Sequence, residues 1–303
     1  MKLIQLTKKA LLPFLLSGML YATSDMSSTH ESLRVLPSDY NMIVALYGRP
    51  HVKTMGTLGK QSLQETIKLA KAKAKIYEKA LGNGKHVTAG FDLIYEMATA
   101  SAGRNGKYVI TLSEKVLTEY ITAAQKNDIV VFIDVQLGKK TPAQAVKPLL
   151  KYLKHSNVHI AVDPEFSIDN LKVRPGKKIG SITGQQINEV QHMMRDYIKA
   201  NGIKDDKILL IHMFTEHMVT NKKAIKYTDR VHLAMHLDGH GSPSLKIKTY
   251  NGLYTDARAG LVTGGFKVFY KQDKPRMTPK QVLGLEKVSN KRVKDMPKII
   301  TYQ

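Results

Sequence analysis

Residues 129–136 read Ile129-Val130-Val131-Phe132-Ile133-Asp134-Val135-Gln136, and residues 158–165 read Val158-His159-Ile160-Ala161-Val162-Asp163-Pro164-Glu165. Each is a short run of apolar and β-branched residues, the pattern of a buried strand. Between them, Thr141 and Gln144 have the spacing of a capping box, in which the hydroxyl accepts from the third amide and the longer side chain returns the bond. Pro142 supports a helix start there, because proline at the first helical position loses no hydrogen bond. Strand, helix and strand in this order imply parallel neighbours joined by a right-handed crossover.

The same unit recurs in both directions along the chain. Strands are predicted at 42–48, 87–93, 129–135, 158–163, 208–213, 231–237, 266–270 and 299–302. Ser62 with Glu65 and Thr278 with Gln281 repeat the capping-box spacing, and Pro279 repeats the proline. Helices are also predicted over 113–125 and 185–200, the latter with Ile187, Val190, Met194 and Ile198 on one face, as core packing requires. Eight parallel strands close a sheet on itself and leave no edge. The prediction is therefore an α/β fold, a single (β/α)8 TIM-type barrel over residues 42–303, lacking the last helix because the last strand runs to the end of the sequence. An open doubly wound sheet is disfavoured, since Gly48-Arg49-Pro50-His51 after the first strand lacks a Gly-rich phosphate fingerprint. Residues 241–265, with Gly241-Ser242-Pro243 and Gly264-Gly265, read as an irregular insertion or lid.

Ahead of the barrel, Lys2, Lys8 and Lys9 precede an apolar run from Ala10 to Leu20, and Ala22-Thr23-Ser24 offers small residues for cleavage. Residues 1–24 thus read as a signal peptide, with 25–41 as an N-terminal extension expected to cover the place of the missing helix. The expected location is secreted, extracellular or attached to the cell envelope, with no transmembrane helix in the mature chain. The chain has no cysteine, which excludes a disulfide framework and a thiolate metal site. Its formal net charge of +22 suits an anionic partner. The basic residues are scattered, as at Lys68, Lys71, Lys73 and Lys75, and form no recognisable nucleic-acid module. A glycan or an anionic cell-wall polymer is the expected partner.

Side chains alternate along a strand, so polar residues two apart at its carboxyl end share a face. Such residues are Tyr47 and Arg49, Asp92, Asp134 and Gln136, Asp163 and Glu165, His212, His236 and Asp238, and Tyr270. Barrel enzymes keep their chemistry at this end. Asp92 and Asp134 stand among apolar neighbours, where a carboxylate needs a partner that a shared polar mouth would supply. Paired carboxylates suit glycoside hydrolysis, with one protonated to assist the leaving oxygen and one ionised. Glu165 is the candidate acid, because Pro164 fixes the backbone beside it and Phe166 lowers the local polarity. Asp134 or Asp238 is the candidate nucleophile or base. Tyr47, Arg49, Asp92, Gln136, Asp163, His212, His236 and Tyr270 are candidate substrate-binding residues, and no cofactor is required. The segment His236-Leu237-Asp238-Gly239-His240 leaves a second reading open, in which His212, His236, Asp238 and His240 hold one divalent metal that activates water for phosphodiester or amide hydrolysis. A third is a non-catalytic barrel that binds wall polymer through Arg49, Lys271, Lys274 and Arg276. The chain has no Gly-x-Ser-x-Gly elbow, Walker loop or His-Glu-x-x-His motif, so those hydrolase classes drop out.

The segments Gly90-Phe91-Asp92-Leu93, Ile133-Asp134-Val135-Gln136, Val162-Asp163-Pro164-Glu165, Ile211-His212-Met213-Phe214, Leu237-Asp238-Gly239 and Ile300-Thr301-Tyr302-Gln303 span nearly all of the mature chain. In their order and placement the chain resembles the glycoside-hydrolase-like barrels, and is similar to a family of secreted or surface-attached bacterial proteins of unassigned activity. The resemblance implies a barrel, export and a hydrolase of envelope or extracellular glycans. The chain departs from typical glycosidases in having no tryptophan to stack on sugar rings, a place that Tyr47, Tyr95 or Tyr270 would take.

Overall fold

The computed structural model describes residues 36–168, 173–256 and 262–303. The signal-peptide segment, most of the N-terminal extension and residues 257–261 of the expected lid lie outside them. Eight parallel strands form the barrel: β1 (Ile43–Gly48), β2 (Thr88–Ala98), β3 (Ile129–Gln136), β4 (Val158–Asp163), β5 (Lys207–Met213), β6 (Val231–Leu237), β7 (Thr263–Val268) and β8 (Ile299–Tyr302). Each pairs with the next in chain order, and β1 pairs with both β2 and β8, so the sheet closes. The register is staggered: Asp92 lies beside Phe132 and Asp134 beside Ala161. Side chains from alternate strands therefore share a level inside the barrel.

Among the described residues, six α-helices lie in the crossovers: α1 (Leu63–Leu81), α2 (Glu114–Gln125), α3 (Pro142–Val146), α4 (Gly184–Ala200), α5 (Pro243–Asp256) and α6 (Pro279–Val282). The capping boxes at Ser62, Thr141 and Thr278 form as their spacing predicts, with Pro142 and Pro279 in the first turn. Thr183 and Gln186 make a fourth at the start of α4, whose Ile187, Val190, Met194 and Ile198 are buried. Outward-facing strand residues pack under these helices; Phe91 of β2, for example, meets Tyr120 of α2 edge-on. Burying a side chain of this size contributes about 1.5–3 kcal/mol.

Three boundaries differ from the sequence reading. The segment read as a lid is largely regular, for residues 243–256 are helix and Gly264 and Gly265 lie within β7. The crossover from β5 to β6 contains no α-helix, but short 3-10 turns at Glu216–Met218 and Lys222–Ala224 and a two-residue strand, Val219–Thr220, that pairs with Ile182–Thr183. The described part of the extension closes the amino end of the barrel instead of standing in for a helix. Leu36 is buried with Ile43, Val130, Phe132, Ile208 and Ile299, and the Tyr40 ring meets His159 edge-on at 5.4 Å.

Candidate active site

The carboxyl ends of the strands surround a cavity of about 530 Å³ whose lining includes Tyr47, Gln136, Asp163, Glu165, Asp238 and Lys267. Its walls also carry Met55, Phe166, Phe214, Leu245 and Phe269, so a polar floor faces apolar sides.

Asp238, directly after β6, is the hub of the floor. Its Oδ1 accepts from His236 Nδ1 at 2.7 Å, and its Oδ2 takes His212 Nδ1 at 2.9 Å and Lys267 Nζ at 3.1 Å. Burial opposes charge on Asp238, but His212 and Lys267 outweigh it and hold the carboxyl well below the usual carboxylate range. The same group raises its partners. Burial disfavours the His212 cation, yet Asp238, Asp134 and Asp92 lift its pKa to about 10. His236 goes the other way: burial dominates, its pKa falls to about 4, and the neutral ring reaches Thr301 Oγ1 through Nε2 at 3.1 Å. Gly265 makes room for that ring, because a Cβ there would stand 2.7 Å from His236 Cδ2. Lys267 lies over the Tyr47 ring, 3.5 Å from its centre, where the π-face attracts the ammonium.

Glu165 sits in a 3-10 turn, Pro164–Phe166, capped by Asp163, whose Oδ1 accepts from the Glu165 amide at 2.9 Å. The cap turns the Glu165 side chain to the cavity. Burial, reinforced by the charges of Asp163 and Asp238, pushes its pKa up to about 7. Asp163 is itself raised, first by burial. Gln136 is fixed across the rim, accepting from the Ala98 amide at 2.8 Å.

Of the residues singled out from the sequence, Tyr47, Gln136, Asp163, Glu165, Asp238 and His240 border the cavity. Asp92, Asp134, His212 and His236 are absent from its lining and are almost wholly buried among the strands. Burial raises Asp134 well above its ordinary value, and its place outside the cavity lining keeps it from the position expected of a base or nucleophile. Asp92 is raised to about 6 by the same cause. Arg49 turns away from the cavity and donates to the carbonyls of Ile94 and Tyr95 at 3.2 and 2.9 Å. Tyr270 lies beyond β7, which ends at Val268, and stacks against Tyr302 with Arg276 over its ring. Of the four residues in the metal reading, ligand atoms of His212, His236 and Asp238 lie within 4.8 Å of one another, whereas His240 packs its ring against Phe269.

Lys267 and Thr301 are site residues that the strand-end reading did not select. The signal for Lys267 was present, a lysine between Phe266 and Val268 in an apolar run, as Asp92 and Asp134 are acids in apolar runs. Reading Gly264-Gly265 as a turn placed the strand three residues late and concealed it.

No family model and no curated protein matches the chain. Among solved structures it is similar to a family 18 chitinase from Crocus vernus, at 14% sequence identity and a TM-score of 0.30, with 60% of this chain and 70% of that chain covered.

Proposed function

We propose that the chain is a hydrolase of envelope or extracellular glycans, exported by its N-terminal segment, with Glu165 as the general acid. The observation that carries this reading is a carboxyl group with a pKa of about 7 facing the same cavity as a carboxylate held ionised by three donors. Two acids driven apart in this way divide into an acid and an anion. Glu165 gives its proton to the leaving oxygen as the sugar–oxygen bond breaks. Water then supplies hydroxide to the sugar and a proton that restores Glu165. Asp238 has both oxygens occupied by donors, which suits a fixed negative charge facing the positive charge that develops on the sugar better than a group that attacks. Asp163 keeps Glu165 in place through its amide, and Phe166 and Phe214 of the wall offer apolar surfaces against which sugar rings pack. The basic surface and the apolar, lysine-flanked leader support an anionic, extracytoplasmic substrate.

The test is a panel of cell-wall and extracellular glycans offered to the purified chain and to Glu165→Gln. Hydrolysis by the wild type and a loss of roughly 10²–10⁴-fold in the variant are expected. Equal rates for the two proteins, or no hydrolysis across the panel, would overturn the reading.

A further inference from the structure

Directly beneath this site, and outside the cavity lining, a second cluster has unmet chemistry. Asp92 of β2 and Asp134 of β3 are 0% exposed and His212 of β5 is 1% exposed. Among the described residues, neither oxygen of Asp92, neither oxygen of Asp134, nor Nε2 of His212 has a hydrogen-bond partner. Leaving buried carboxylates in this condition is costly, and native proteins pair such groups. Here one oxygen of each carboxylate and a ring nitrogen, from three strands, lie within 4.8 Å of one another.

We propose that Asp92, Asp134 and His212 Nε2 bind one divalent transition-metal ion. His212 Nε2 stands 3.7 Å from Asp92 Oδ2 and 3.9 Å from Asp134 Oδ1. Those separations are too long for hydrogen bonds. They suit two ligands of one ion, since bonds of about 2.0–2.2 Å to imidazole and carboxylate place the ligand atoms up to roughly 4 Å apart. The other face of the ring is arranged accordingly. Nδ1 bonds to Asp238 at 2.9 Å, the carboxylate contact that fixes the tautomer of a metal-bound histidine and aims its Nε2 lone pair at the ion.

Charge balance agrees. A dication with two carboxylates and a neutral imidazole sums to zero, whereas an imidazolium alone leaves one carboxylate uncompensated. The nearby ammonium of Lys267 is already engaged with Asp238 and the Tyr47 ring. One nitrogen and carboxylate oxygens are the donor set of zinc or manganese. Because none of the three ligands lines the cavity, the ion holds His212, and through it Asp238, in position without touching substrate. The binding claim stands without the hydrolase reading; this positioning role rests on it.

The full chain, stripped with chelator, is titrated with zinc chloride and with manganese chloride by calorimetry, and its melting is followed with and without each ion. One ion per chain and a rise of several degrees in Tm are expected. Asp134→Asn should weaken binding at least tenfold, and Asp92→Asn with Asp134→Asn should abolish it while circular dichroism stays unchanged. Should the double variant fail to fold, His212→Gln makes the same test. Absence of binding by the stripped wild type, or unchanged binding in a folded variant, would overturn the site. An ion that binds as expected in a chain whose activity ignores Glu165 would leave the site standing and remove the hydrolase reading.

Discussion

At the amino end of the barrel, Leu36, Ile43, Val130, Phe132, Ile208 and Leu210 fill the interior with hydrocarbon around the buried ring of His159. Only a few residues farther along the same strands, Asp92, Asp134, Asp163, His212, His236 and Lys267 fill it with ionisable groups, all at most 4% exposed. The strand backbones are the same at both ends, so the difference lies in what the inward side chains are for. The lower half gains stability from each buried carbon. The upper half gives some of that stability up, holding charges whose desolvation is only partly offset by their mutual contacts. The contrast predicts that substitutions below reduce stability and leave chemistry alone, while those above change both.

The largest effect is expected at the hub. Asp238→Ala removes the shared partner of His212, His236 and Lys267 and leaves two buried cations without their counter-charge, so it should cost about 3–5 kcal/mol in urea unfolding as well as abolish hydrolysis. A change below 1 kcal/mol would show that the cluster is not coupled. Phe132→Ala, in the lower half, should cost about 3–5 kcal/mol by opening a cavity beneath the rim, with kcat per folded molecule unchanged. If that substitution impaired catalysis as severely as stability, the division between the two ends would fail.

A smaller effect separates the halves by pH. Glu165 has a folded-state pKa of about 7 against an ordinary value of 4.5. Folding therefore takes up a proton between these values, and the cost of burying its carboxylate is absent below about 4.5 and complete above about 7. Glu165→Gln should raise Tm at pH 8 and leave it unchanged at pH 4, as read by melting curves at the two pH values. A gain of equal size at both would mean that the carboxyl is not perturbed.

How far this contrast was legible in the sequence differs from residue to residue. Asp92 and Asp134 announced themselves as acids inside apolar strands, and Glu165 as an acid fixed by a proline turn, because local pattern alone marks them. The closed barrel followed from strands and capped helices in alternation. The role of each polar residue did not follow, because it depends on contacts between strands distant in the chain. Asp134 looks like Asp238 in sequence, yet only Asp238 has donors around it. Arg49 stands at a strand end like the others, but the carbonyls of Ile94 and Tyr95 capture it. The apolar plug was illegible for a related reason: Leu36 and Tyr40 belong to no periodic element, and only the closed barrel gives them a surface to cover. Gly265 misled most, since a glycine that makes space for an imidazole has the same letter as one that makes a turn.

The central claim, that Glu165 delivers the proton at the cavity, is tested most directly by the pH dependence of kcat/KM on the best glycan of the panel, measured for wild type and Glu165→Gln. The wild-type rate should fall tenfold per pH unit above about 7 as the acid ionises, and the variant should be slow with that limb missing. A limb of the same position and slope in both proteins would contradict it.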